Sequence, residues 1–105
     1  MSKYLCKINY VNDLAKGLLQ EGGTSRYDQA QKTFASVGGT LESMYYAFGE
    51  TDVYAIVDLP NHASAAALLF TARAVGLECN IEVLMAPAEL DDAAKKSPIY
   101  RPPGA

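Results

Sequence analysis

The chain has 105 residues, half of them apolar and a fifth charged, and it carries a net charge of -3 with a pI near 5.0. This length fits one domain of common size, and the composition is that of a globular protein rather than of a disordered one. The acidic balance offers no basic surface for phosphates, so nucleic acid and anionic membranes are not expected as partners.

The first part of the chain predicts a strand followed by two helices. Apolar and polar residues alternate from Tyr4 to Tyr10, which is the period-two pattern of a half-buried strand. The run 13–20 predicts a short helix that ends before Gly22. Ser25 and Asp28 resemble a capping box at the start of a longer helix, which continues to a second glycine pair.

The second part predicts a hairpin, a helix and a last strand. The runs 40–48 and 52–59 are rich in aromatic and β-branched residues and are separated by a short loop, so we expect them to pair as antiparallel strands. Asn61 is a candidate helix cap, and apolar residues then recur at helical spacing as far as Gly76. Residues 79–85 alternate again, which predicts the fourth strand.

This order of elements predicts an α+β fold of the ferredoxin-like βαββαβ type. We expect an antiparallel sheet in the order 4-1-3-2, with both long helices on one face. Residues 1–96 form the domain in this interpretation, and residues 97–105 form a Pro-rich C-terminal tail.

The pairing of strands one and four follows from aligning their apolar faces. Tyr4 is then expected opposite Met85, and Lys7 opposite Glu82. This register keeps the two cysteines of the chain several residues apart, so it does not favour a disulfide between them.

The compartment is predicted from the termini and the cysteines. The start of the chain lacks a charged-then-apolar export signal, and the longest apolar stretch, residues 65–70, is far shorter than a bilayer span. We therefore expect a cytoplasmic protein, in which Cys6 and Cys79 are buried reduced thiols.

One face of the predicted sheet has no helix to cover it. The hairpin strands are apolar on both alternating sides, and an exposed apolar surface of that size marks an interface. We expect a homodimer or higher oligomer in which two sheets face each other as a dimeric α/β barrel, with a chamber between them for a small organic ligand. The alternative is a monomer whose C-terminal tail folds back over the sheet.

The stretch GGTLESMYYAFGETDVYAIVDLP, with KYLCKINY and EGGTSR before it and YRPPG after it, resembles the GYD family of small bacterial and archaeal proteins. The resemblance implies a ferredoxin-like dimeric α/β barrel and no established activity. The family's naming motif, Gly-Tyr-Asp or Gly-Glu-Tyr-Asp, is altered here to Gly49-Glu50-Thr51-Asp52, with Thr51 in the place of the tyrosine. The resemblance therefore supports the fold and the dimer more than any chemistry.

Candidate ligand-binding residues lie on the face that two sheets would share. Charged groups enclosed there need partners or water, which indicates a polar cavity, and hydroxyls beside apolar neighbours suit a small organic ligand. The candidates are Lys7, Asn9, Tyr45, Tyr54, Asp58 and Glu82. The alternative is that Tyr45 and Tyr54 are interface aromatics, and that Lys7 and Glu82 form a solvated ion pair.

Candidates for catalysis are fewer. His62 is the only histidine, which argues against a metal site, and the chain has no phosphate-binding, GxSxG, CxxC or HExxH motif, so no cofactor is expected. Tyr54, Asp58 and His62 are the candidates for acid–base chemistry. For His62 the alternative is a solvated residue at the start of a helix.

Three classes of function fit these residues. The first is a non-catalytic small-molecule binding or regulatory module, which needs only a cavity and an oligomer. The second is a cofactor-independent enzyme, monooxygenase-like or isomerase-like, whose substrate brings its own reactivity. The third is a structural oligomer without a ligand. We take the binding module as the main hypothesis.

Overall fold

The computed structural model describes residues 1–11 and 13–105, and these residues form four strands and four helices. In chain order the elements are β1 (Ser2–Asn9), α1 (Leu14–Glu21), α2 (Gly23–Ala35), β2 (Thr40–Tyr46), β3 (Val53–Leu59), α3 (His62–Ala74), β4 (Glu78–Leu84) and α4 (Pro87–Ala94). The strands form one antiparallel sheet in the order β2-β3-β1-β4. This confirms the predicted α+β ferredoxin-like fold and its strand order.

A sharp turn at Gly22 joins α1 directly to α2. Gly22 has φ +89° and ψ 154°, a conformation that residues with a side chain avoid, and α2 begins at the next residue. The predicted capping box at Ser25 and Asp28 is wrong, because the turn starts the helix at Gly23 and places Ser25 inside its first turn. Gly22 occupies the N-cap position instead.

The start of α3 follows the prediction. Asn61 lies in extended backbone, and its side-chain oxygen accepts a hydrogen bond from the backbone N–H of Ser64 at 2.9 Å. This bond satisfies one of the amide groups that the first helical turn leaves without an intrahelical acceptor. The predicted cap at Asn61 is confirmed.

The register between β1 and β4 differs from the prediction by two residues. Lys7 lies opposite Asn80 rather than Glu82, and Tyr4 lies opposite Val83. Side chains alternate between faces with a period of two, so a shift of two leaves every residue on its expected face. The apolar pattern therefore distinguishes the two faces but does not distinguish registers two residues apart.

The hydrophobic core lies on the face that the helices cover. Helix α2 packs against β2, and α3 packs against β3 and β4. The buried residues of the core are Tyr4, Cys6, Phe34, Ala55, Val57, Leu59 and Ala65. Because these side chains come from both central strands and both long helices, their burial joins the two layers.

Residues 85–105, which we call the C-terminal arm, extend away from this body. Every residue of the arm is exposed, including Met85, Leu90, Ile99 and Tyr100. The chain measures 56 × 32 × 23 Å and has a radius of gyration of 16.9 Å. A compact domain of this length has a radius of gyration of about 13 Å, so the arm makes the chain markedly elongated.

Candidate functional site

A cavity of about 250 Å³ lies between α2, α3 and the sheet; we call it the central cavity. The sheet contributes its floor, and the two helices contribute its walls. The lining residues from the sheet include Cys6, Ala55 and Cys79, and those from the helices include Ala30, Phe34, Leu68 and Ala72. The lining is mostly apolar, which is typical of sites for small organic molecules.

Small side chains explain why this space stays open. Cys6 and Ala55 face each other across the two central strands, and Ala30 and Ala72 lie on the helices above them. Protein interiors are otherwise packed as densely as organic crystals, so small residues at facing positions leave a void. The apolar patterns predicted core positions here but no cavity, and the small size of these side chains is the signal that could have indicated one.

The thiols on the cavity floor are poor nucleophiles. Cys6 and Cys79 are both buried and free, which confirms the expected buried thiols. Burial raises the pKa of Cys6 to about 12, with a smaller contribution from the charge of Cys79. Burial also raises the pKa of Cys79, and the nearby Arg73 offsets part of that rise. At neutral pH both side chains are therefore protonated and act as small apolar groups.

The mouth of the central cavity is more polar than its floor. The polar lining residues are its more accessible ones: Gln29, Thr33 and Thr71 are exposed, Arg26 and Tyr10 are half-buried, and together they mark the mouth. Arg26 Nη1 lies 3.6 Å from Glu21 Oε2 in a partly exposed ion pair. The arrangement therefore combines an apolar floor with a polar entrance.

A second, wider depression of about 450 Å³ lies beside α1. Its lining includes Tyr10, Leu18, Gly22 and Tyr46. The Tyr46 hydroxyl donates a hydrogen bond to the Gly23 carbonyl at 2.8 Å, which ties β2 to the turn between α1 and α2. Tyr10 lines both spaces, so the depression and the mouth of the central cavity are neighbours.

The predicted ligand-binding residues lie on the opposite face of the sheet from the central cavity. Tyr45, Tyr54 and Lys7 are neighbours in one row across β2, β3 and β1. Lys7 Nζ lies 3.6 Å from Glu82 Oε1, diagonally across β1 and β4. We call this side the open face. Tyr45 is 70% exposed and Tyr54 is 38% exposed there.

Asp58 takes part in a charged cluster on the open face that the sequence did not reveal. Lys3 Nζ lies 3.0 Å from Glu42 Oε2 and 3.2 Å from Asp58 Oδ1. These bonds, first to Glu42 and then to Asp58, raise the pKa of Lys3. A register shift between Leu41 and Ser43 leaves Glu42 out of the regular pairing of β2 with β3, and no sequence pattern indicated that irregularity.

Asn9 has a structural role. Its side-chain oxygen accepts a hydrogen bond from the backbone N–H of Asp52 at 2.8 Å, and the Asp52 carboxylate accepts one from the backbone N–H of Tyr10 at 2.9 Å. This exchange fastens the β2–β3 loop to the end of β1. Thr51 is buried in that loop.

The three candidates for acid–base chemistry contact different residues and do not form one cluster. Tyr54 and Asp58 lie on the open face, where Asp58 contacts Lys3. His62 Nδ1 is instead hydrogen-bonded at 2.7 Å to the hydroxyl of Tyr4, whose ring belongs to the core. The single chain therefore does not gather these three side chains around one point.

Within residues 1–11 and 13–105, none of the helices has both the length and the apolar character that crossing a bilayer requires, and no three potential metal ligands cluster. Comparison with curated proteins and with solved structures found no match. The family model of the GYD domain matches residues 4–94, which is most of the chain. The chain belongs to the GYD domain family.

Proposed function

We propose that this protein is a binding module for a small, largely apolar molecule, which it holds in the central cavity. The observation that carries the proposal is the apolar space of about 250 Å³ between α2, α3 and the sheet. A cavity of about 150 Å³ is enough for benzene, so this one admits a ring with a short substituent. Its inert thiols favour binding over covalent chemistry.

A substitution that fills the cavity tests this proposal. Ala72 lines the cavity from α3, and Ala66 is an exposed residue of the same helix outside the lining. We expect 2-phenylethanol to raise the melting temperature of the wild-type protein and of Ala66→Leu, because a ligand that binds the native state stabilises it. We expect a much smaller rise for Ala72→Leu.

Two results would contradict the binding module. One is the absence of any rise in the melting temperature of the wild-type protein at millimolar 2-phenylethanol. The other is an equal rise in Ala72→Leu, which would show that the molecule binds elsewhere. Chemical-shift changes of the methyl groups of Leu68 and Ile81, which line the cavity, provide an independent measure of where the probe lies.

We also propose that the protein works as a homodimer with the open faces of two chains in contact. Tyr45 and Tyr54 are exposed there, beside the half-buried Leu5, Ile56 and Leu84. The exposed apolar residues of the C-terminal arm add surface that a second chain is suited to cover. The predicted chamber between two sheets requires this dimer. We propose the cytoplasm as its compartment, since its two cysteines are free.

Light scattering tests the dimer through its mass. We expect twice the chain mass of 11.3 kDa for the wild-type protein and a shift toward one chain for Tyr54→Lys, which places a charge in the contact. Phe70→Lys is the matched control, because Phe70 is an exposed aromatic residue on α3. A wild-type mass of one chain at micromolar concentration, or dissociation by both variants alike, would contradict the proposed interface.

A further inference from the structure

The mouth of the central cavity carries a positive charge. Arg26 is the only charged side chain among the described residues that line the cavity. It lies on the same face of α2 as Ala30 and Thr33, because residues four and seven positions apart are neighbours on a helix. A molecule that lies on the apolar floor and extends to the mouth would therefore meet this charge.

The present partner of Arg26 is weakly held. Glu21 Oε2 is 3.6 Å from Arg26 Nη1, and the two side chains are 52% and 33% exposed. Ion pairs with this exposure contribute little to stability, because water and salt screen them. A guanidinium forms shorter, bidentate hydrogen bonds with a carboxylate held in its plane. An anion fixed at the mouth is thus able to compete with Glu21 for Arg26.

The geometry points to a ligand that is a small apolar molecule with one anionic group, a carboxylate in its simplest form. The apolar body lies on the floor near Cys6 and Ala55, and the carboxylate lies at the mouth against Arg26. This inference rests on the proposed binding module and specifies the class of its ligand. The net charge of -3 gives anions no general attraction to the protein, so the inferred preference for an anionic ligand comes from Arg26 itself.

Three probes of the same shape test the charge. Phenylacetate, 2-phenylethanol and 2-phenylethylamine differ mainly in the group at the end of the chain, which is anionic, neutral or cationic. We expect the wild-type protein to bind phenylacetate about tenfold more tightly than 2-phenylethanol, as for one charge-assisted hydrogen-bonded pair, and to bind the amine least. Isothermal titration calorimetry at low ionic strength measures all three, and added salt is expected to reduce the preference.

Two substitutions with opposite expected effects locate the preference. Arg26→Gln is expected to remove the tenfold preference, so that phenylacetate binds no more tightly than 2-phenylethanol. Glu21→Gln is expected to increase the affinity for phenylacetate severalfold, because it removes both the competing partner of Arg26 and a repelling charge. Lys32→Gln is the control, since it removes one positive charge from an exposed position of the same helix. Arg26→Lys replaces Arg26→Gln if the latter does not fold, and is expected to reduce the preference severalfold.

The outcomes separate this inference from the binding module itself. If 2-phenylethanol binds as tightly as phenylacetate and Ala72→Leu weakens both, the cavity binds molecules but the inferred anionic class is wrong. If the preference survives Arg26→Gln, or Lys32→Gln reduces it equally, the assignment to Arg26 is wrong. If none of the three probes binds, both the binding module and its ligand class are rejected.

Discussion

The two faces of the sheet differ in what their side chains contact. On the helix-covered face, Tyr4, Val57 and Leu59 are at most 2% exposed and belong to one core. On the open face, tyrosines and apolar residues alternate with the ion pairs of Lys3 and Lys7. The free energy of unfolding is therefore expected to depend mainly on the helix-covered face, and the proposed dimer contact on the open face. The cavity that a single chain forms lies on the helix-covered face, so the proposed ligand binding is not expected to require the proposed dimer.

The largest expected effect comes from opening the core. Leu59 and Ile56 are on the same strand, but Leu59 is fully buried on the covered face and Ile56 is half-buried on the open face. Leu59→Ala is expected to lower the free energy of unfolding by about 2–5 kcal/mol, and Ile56→Ala by roughly half as much. Urea denaturation at low protein concentration measures both. Equal losses would mean that the open face is covered as fully as the core.

A smaller effect is expected where the turn after α2 meets β3. A Cβ atom on Gly39 would lie 2.6 Å from Leu59 Cδ2 and 2.9 Å from the Asp58 carbonyl oxygen. Gly39→Ala is therefore expected to lower the free energy of unfolding by about 1–3 kcal/mol through overpacking. Gly49→Ala is the control, because a Cβ there meets no atom within 4 Å. Little loss in Gly39→Ala would show that α2 is less tightly seated on the sheet than the structure indicates.

The buried thiols give the covered face a distinctive pH dependence. Burial raises the pKa of Cys6 to about 12, whereas an unfolded thiol titrates at about pH 8.5. Between these values the unfolded chain releases a proton that the folded chain keeps, so stability falls as pH rises from about 9 toward 12. The loss from one thiol is at most about 1.4 kcal/mol per pH unit. The contribution of Cys6 is fully present below about pH 8.

The measurement compares wild-type protein with Cys6→Ala in denaturant series at about pH 8, 9 and 10, which spans the titration of an unfolded thiol. Tyrosine ionisation affects both proteins, so the difference between them isolates the thiol. Parallel pH dependence in the two proteins would contradict the burial of Cys6. The Lys3 ion pairs on the open face also weaken at alkaline pH, because they raise the pKa of Lys3, but the wild-type protein and Cys6→Ala share that dependence.

The smallest effect is expected on the open face. Glu82→Gln removes the partner of Lys7, and the two side chains are 56% and 34% exposed. Exposed pairs of this kind contribute about 0–1 kcal/mol, and salt reduces that contribution. A loss above about 2 kcal/mol that disappears on dilution would mean that a second chain desolvates the pair.

The elements that sequence predicted best are those with a strong local signal. The fold and the strand order were predicted from alternating runs in β1 and β4, aromatic and β-branched runs in β2 and β3, and Asn61 before an apolar helix. Lys7 and Tyr54 were placed on the correct face because alternation determines the face of each strand residue. The pairing of Lys7 with Asn80 was missed, because registers two residues apart keep the same alternation.

The site was harder to predict because it depends on contacts distant in sequence. The central cavity results from small residues on separate elements, such as Ala30 and Ala55, and no periodic pattern records that they face each other. Asn9 shares the face of Lys7 by alternation, yet its side chain bonds to Asp52 in a loop far along the chain. The anionic specificity inferred for Arg26 likewise depends on how α2 lies over the sheet.

The exposed C-terminal arm has a consequence for how the protein moves in solution. A particle 56 Å long and 23 Å across meets more friction than a sphere of equal mass, so it diffuses and elutes as though it were heavier. A single chain would then approach the elution volume of a globular dimer. Removing residues 85–105 is expected to shift elution far more than the lost mass accounts for.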